Sequence, residues 1–195
     1  GLPAAMGMAL LSDGLVATLF NYGAFTGHDV MQTRLAVMAY SVGLLGLLSI
    51  KILAPGFYAK QDIRTPVKIA IFVLILTQVF NVIFVPLFAH AGLALSIGLG
   101  ASVNALFLLL MLYKHKIYQP RPGWGRFVLK VAPALAALAL VLSMAGAYID
   151  WVGLGTRPWL RVLWLGGVLL ASAAAYFGVL LLCGFRPRDF TRRSA

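Results

Sequence analysis

Residues 67–88 read Val-Lys-Ile-Ala-Ile-Phe-Val-Leu-Ile-Leu-Thr-Gln-Val-Phe-Asn-Val-Ile-Phe-Val-Pro-Leu-Phe, an apolar run whose one charge is Lys68. A helix needs about 20 mostly apolar residues to cross the hydrocarbon core of a bilayer. The run is long enough and does not alternate, whereas a barrel strand takes about 9–11 residues of alternating polarity. Five further stretches read the same way: Leu2–Phe20, Leu35–Leu53, Gly92–Tyr113, Phe127–Ile149 and Leu160–Cys183. The first is the weakest, because Ser12, Asp13 and Gly14 interrupt it. The fold class predicted is all-α, a polytopic transmembrane bundle of about six helices.

Composition agrees. Of 195 residues, 62% are hydrophobic and 11% charged, with a mean hydropathy of +0.94. A soluble domain carries about 25% charged residues, so a soluble fold of this size has no way to hide its apolar surface. Disorder and low-complexity classes fail on the same ground. The chain opens at Gly1-Leu2-Pro3, inside an apolar stretch and with no signal-peptide pattern before it. That reads as a helix cut in its middle, and the chain as a piece of a longer protein. A lone cysteine, Cys183, allows no internal disulfide.

The connections carry helix punctuation. Thr65-Pro66 is expected to cap and begin the third span, Thr26 or Asp29 to cap the second, and Thr156 the sixth. Pro55-Gly56 is expected to end the second span. Gly184 stands where a helix-ending left-handed residue is wanted. Pro133 falls inside the fifth span and should kink it. Trp124, Trp151 and Trp159 fall near the predicted interfaces, as aromatic anchors do.

The net charge is +11, which in a soluble protein suggests nucleic acid. Here it sorts by loop. Lys51, Lys60, Arg64 and Lys68 follow the second span, and Lys114, Lys116, Arg121, Arg126 and Lys130 follow the fourth. Arg186, Arg188, Arg192 and Arg193 follow the sixth. Thirteen cations thus fall on one side and three, Arg34, Arg157 and Arg161, on the other. The positive-inside rule puts the C-terminus in the cytoplasm and the 21–33 connection outside, and it accounts for the charge with no nucleic-acid partner.

The catalytic inventory is thin. The second to sixth spans hold no acid in their cores, and His28, His90 and His115 lie far apart at helix ends and in loops. No metal-ligand spacing, nucleophile elbow or phosphate loop occurs, so no enzyme activity, cofactor or metal is expected. Uncharged polar groups are present: Thr77, Gln78 and Asn81 in the third span, Ser96, Ser102 and Asn104 in the fourth. They read either as interhelical hydrogen bonds or as a polar cavity. Ala94, Gly98 and Ser102 form a small-residue stripe suited to close helix packing, with dimerisation the alternative.

Lys60, Arg64 and Lys68 repeat every four residues and make one basic face if the connection is helical, although Pro66 opposes that. They serve either as a solvated loop near anionic headgroups or as contacts to a phosphorylated lipid. Lys51, a turn or two from its helix end, either snorkels or faces a cavity. Asp13 is given no role. The last two spans are polar-poor, with Ser143, Ser172 and Tyr176 among apolar and small residues. They read as lipid-facing helices or as a wall for an acyl or polyprenyl chain.

Three runs carry a family resemblance: 19–26 (Leu-Phe-Asn-Tyr-Gly-Ala-Phe-Thr), 39–46 (Ala-Tyr-Ser-Val-Gly-Leu-Leu-Gly) and 51–68 (Lys-Ile-Leu-Ala-Pro-Gly-Phe-Tyr-Ala-Lys-Gln-Asp-Ile-Arg-Thr-Pro-Val-Lys). With His90–Gly98, Pro122-Gly-Trp124 and the Gly184–Arg193 tail, the sequence closely resembles the MurJ (MviN) lipid II flippase family, in a proteobacterial form. The resemblance implies a two-lobe transporter of the multidrug/oligosaccharidyl-lipid/polysaccharide exporter superfamily in the bacterial inner membrane. Such a transporter moves undecaprenyl-linked peptidoglycan precursor (lipid II) outward by alternating access.

This chain would then supply the last six helices, with the N-terminal lobe of the same protein and the membrane lipids as its partners. The organisation expected is 1–114 as C-terminal-lobe helices, 115–126 as a cytoplasmic loop, 127–184 as a final helix pair and 185–195 as a basic cytoplasmic tail. The family's cavity arginines belong mainly to the part not present. Its final helix pair forms a groove for the lipid tail, for which Ala136, Ala139, Gly146, Gly167, Ala171 and Ala174 are the candidates. Lys51, Pro55, Gly56, Lys60, Asp62, Arg64, Thr65, Pro66 and Lys68 are candidates for a cytoplasmic hinge and headgroup contact. Thr77, Gln78, Asn81, Ser102 and Asn104 are candidates for a polar cavity. A carboxylate sodium site of some relatives is not carried over, since the third span has no acid. Rivals are another polysaccharide-lipid or drug exporter, which the 54–66 run disfavours, and a membrane assembly domain of a cell-envelope complex.

Overall fold

A computed structural model describes residues 1–22, 27–118, 124–156 and 158–184. Among them the chain is helical, with no strand. The elements are α1 (Leu2–Leu10), α2 (Ser12–Phe20), α3 (Gly27–Tyr58), α4 (Arg64–Phe88), α5 (His90–Lys114), α6 (Trp124–Tyr148), a 3-10 turn (Gly153–Thr156) and α7 (Pro158–Leu182). Among the described residues five helices are each long and apolar enough to cross a membrane, and α1 and α2 meet the same measure together, as a pair bent by 68°. The protein is a multi-pass membrane helix bundle. Large apolar side chains such as Leu129, Leu170 and Leu182 cover its outside, as lipid solvent permits.

The first span bends at Leu11 (φ −102°, ψ 15°), one residue before the Ser-Asp-Gly interruption. Ser12 Oγ turns back to donate to Ala9 O at 3.0 Å. Such back-bonding by a hydroxyl bends helices.

At 32 residues, α3 is longer than expected at both ends. It extends about 48 Å against a core of about 30 Å. Pro55-Gly56 does not end it. A proline so near the C-terminus forfeits one backbone bond, and the chain stays helical to Tyr58.

Helix α3 packs most closely on α5. A Cβ on Gly43 would overlap the Gly98 Cα, and one on Gly46 would stand 2.5 Å from Ser102 N. The small-residue stripe is therefore used inside the chain, letting two backbones touch. Helix α4 reverses into α5 at Ala89 (φ 48°, ψ −123°), where a Cβ on Gly92 would strike Phe84 O. Phe72 and Phe107 meet edge to face at 5.6 Å. Phe57, Ile69, Val73, Leu108 and Leu112 close this three-helix core.

The α6–α7 hairpin docks on the bent span instead. Leu11, Leu138, Leu142, Trp151, Leu165 and Val168 form that second core. Trp151 is not an interfacial anchor: it is buried, and a Cβ on Gly14 would come within 2.9 Å of its ring. The connection folds inward because the Asp150 carboxylate accepts the Gly153 N–H at 2.9 Å and starts the 3-10 turn. Trp159 is exposed, as an anchor should be. Pro133 lies inside α6, and Gly184 has the left-handed φ of +85° that was expected. Asp29 lies in the first turn of α3. Thr26, Arg121, Pro122, Arg157 and the 185–195 tail lie outside the described residues, as do the side chains of Trp124, Arg126 and Thr156.

Candidate functional site

The 51–68 segment forms a tight reversal. Asp62 N–H donates to Phe57 O at 3.1 Å and Gln61 N–H to Tyr58 O at 2.9 Å, with Gln61 at φ 58°. This pair of bonds is the helix-ending arrangement that glycine usually serves. The buried Phe57 ring anchors it. The Asp62 carboxylate then accepts the Thr65 N–H at 3.1 Å. The N-cap position falls to Ile63 and α4 begins at Arg64, so the side chain that satisfies a free N–H there is that of Asp62, one residue earlier, and not that of Thr65. Pro66 falls at the third helical position, the last whose N–H has no partner within the helix. Thr65, through its hydroxyl first and its N–H second, holds the Asp62 carboxyl below its ordinary value, and His115 adds to this.

Lys51, Lys60, Arg64 and Lys68 are all exposed. Lys60 lies within the reversal, so the three-residue basic stripe is not continuous; Arg64 and Lys68 alone share a turn of α4. The end of α5 repeats the same device. Ile117 N–H donates to Leu112 O and Lys116 N–H to Tyr113 O, each at 3.0 Å, with Lys116 at φ 53°. One end of α3, α4 and α5 thus forms a basic rim.

The polar candidates are spread out. Thr77 Oγ donates to Val73 O at 2.8 Å and sits over Gly100. Ser102 Oγ donates to Gly98 O at 2.9 Å, and Ser96 Oγ to Gly92 O at 2.8 Å. Asn81 Nδ2 donates to Gln78 Oε1 at 3.2 Å along α4. The Oδ1 atoms of Asn81 and Asn104 are buried without a hydrogen-bond partner.

A trough of about 400 Å³ runs between α1, α6 and α7. Pro3, Gly7, Leu138, Leu142, Ser172 and Tyr176 are among its lining. None of the five polar candidates lines it. The six small residues named from sequence lie on other faces of the same helices. Ala136, Gly146, Gly167, Ala171 and Ala174 are exposed and Ala139 half-buried; a Cβ on Gly146 would point toward Leu10 O at 3.9 Å.

Three ionisable residues have roles that the sequence reading did not assign. Asp13 pairs with Arg34 Nε at 3.2 Å, joining α2 to α3. Arg161, counted as a loop cation, is fully buried in the first turn of α7. Its Nη1 donates to Ala17 O and to Asn21 O at 3.5 Å. The signal was available: an ionisable group inside an apolar span is a site until explained.

The family model described as lipid II flippase MurJ matches residues 1–160. The chain belongs to the MurJ family. It is 49% identical over 192 residues to the lipid II flippase MurJ of Burkholderia cenocepacia, covering 98% of this chain and 37% of that protein. Two proteins named as probable lipid II flippases MurJ are also similar. That of Haemophilus influenzae is 35% identical, with 100% of this chain and 38% of the relative covered. That of Vibrio cholerae is 34% identical, with 97% and 36% covered. The chain thus spans little more than a third of the length of the MurJ relatives it matches.

Proposed function

We propose that this chain is the C-terminal portion of a lipid II flippase. It carries the polyprenyl-linked peptidoglycan precursor from the cytoplasmic to the periplasmic leaflet of the bacterial inner membrane by alternating access. It works as a transporter and not an enzyme, together with an N-terminal lobe. The MurJ match over 1–160 carries this reading. The trough between α1, α6 and α7 supports it, since a polyprenyl chain needs an apolar channel with nothing to hydrogen-bond. A tail in a bilayer is already out of water, so the trough gives guidance rather than affinity. The basic rim around Lys60, Arg64 and Lys68 supports a cytoplasmic placement of that end, where the cations meet the phosphates of lipid headgroups. The reversal at Gln61 and Asp62 serves there as the hinge between α3 and α4.

The test is complementation. The full-length gene should restore growth to a flippase-depleted strain and return lipid II to the periplasmic leaflet. A full-length protein that reaches the membrane at normal abundance yet leaves lipid II on the cytoplasmic side would overturn the reading.

A further inference from the structure

The break at Leu11 leaves α2 as a separate helix of nine residues with its own dipole, positive at Ser12 and negative at Phe20. Each end has a matching charge. Asp13 stands in the first turn and is paired with Arg34 of α3. At the other end, Ala17 O in the last turn and Asn21 O at the C-cap accept from Arg161 of α7, whose guanidinium also lies 5.9 Å over the Tyr22 ring. The two partners come from different bodies: Arg34 from the α3–α5 bundle and Arg161 from the α6–α7 hairpin. The Arg161 clasp is incomplete, because its Nε and Nη2 are buried with no hydrogen-bond partner.

We propose that α2 is a hinged half-helix that swings about Leu11 during the transport cycle. The Arg161 clasp and the Asp13–Arg34 pair hold it in the state seen here and release it in the alternate one. In that alternate state Nε and Nη2 reach water. The proposal rests on the transporter reading for its purpose, but the motion is measurable without any transport.

The experiment uses full-length protein in lipid nanodiscs, with every native cysteine replaced. Nitroxide labels go at the exposed positions Leu19 and Trp159, and pulsed electron resonance reads the distance between them. The wild type should give one main distance and a small longer component. Arg161→Leu should enlarge the longer component at least several-fold. The paired Asp13→Asn, Arg34→Gln variant should do the same from the other end. Arg161→Lys, which can still donate to one carbonyl, should fall between. Should Arg161→Leu fail to fold, Arg161→Lys and the Asn/Gln pair, which keep side-chain size, decide the matter. Distributions unchanged from wild type in these variants overturn the hinge, and do so even if lipid II flipping is lost. A shifted distribution supports it whatever the flipping rate.

Discussion

Gly43 of α3 and Gly98 of α5 meet backbone to backbone: a Cβ placed on Gly98 would stand 3.0 Å from the Gly43 Cα. Neither neighbour is a side chain able to turn away. Gly43→Ala or Gly98→Ala should therefore lower stability by about 1–3 kcal/mol, the range for overpacking a tight core. Gly178→Ala, with open space around its site, should be neutral or stabilising by up to about 1 kcal/mol through helix propensity. Thermal unfolding in one detergent separates them.

Ala89 makes the α4–α5 reversal at φ 48° and ψ −123°, a conformation that glycine enters without a Cβ penalty. Ala89→Gly should raise stability by about 1 kcal/mol. Gly92→Ala, three residues on, should lower it, because its Cβ would strike Phe84 O.

The Asp62 side chain satisfies the free Thr65 N–H at the start of α4. Asp62→Ala should thus lower the melting temperature more than Thr65→Val does, the reverse of what a threonine cap requires. The Asp62 carboxyl is held below its ordinary value of 3.8. A depressed carboxylate stabilises the fold above the unfolded value, and that stabilisation is lost as pH falls through the lowered one. Wild type should lose ground to Asp62→Asn only below about pH 4, as read by melting against pH.

Filling the trough should slow flipping, whereas filling another face of the same helix should not. Ala173 lines the trough; Ala171 does not. Ala173→Trp in the full-length protein should cut the arrival of lipid II at the periplasmic leaflet several-fold at unchanged abundance. Ala171→Trp should leave it near normal. Equal rates for the two would mean the trough carries no lipid tail.

Single-cysteine labelling fixes the orientation. In a Cys183→Ser background, His28→Cys should react with an impermeant thiol reagent in intact spheroplasts, and Lys60→Cys only after permeabilisation. The opposite pattern would invert the bundle.

The spans were legible because hydropathy and length decide membrane crossing, and Gly98 with Ser102 announced a close contact by spacing alone. Pro55 misled because a proline in a final turn loses one bond, where a central one loses a bond and clashes besides. Trp151 misled because an aromatic near a span end suits an interface or a core equally, and Gly14, its partner, lies far away in sequence. That α6 and α7 are poor in polar atoms was plain from their composition, and both line the trough. Which face forms the trough depends on where α1 docks, and composition does not encode that. Arg161 is the extreme case: its carbonyl partner Ala17 is 144 residues away, so no local pattern links the two.

The hydroxyls of Ser41, Thr77, Ser96, Ser102 and Ser172 each donate to a carbonyl one turn back in the same helix. None of these bonds ties one helix to another. Neighbouring helices can then slide or rotate past each other while every such hydroxyl keeps its partner, and only van der Waals contacts must be remade. A rearrangement along the α3–α5 or α6–α7 seam therefore breaks none of these hydroxyl bonds. Where the hydroxyls are self-contained in this way, two helices can change their contact repeatedly with no polar bond to break; the ties that must break lie elsewhere, at Asp13–Arg34 and Arg161.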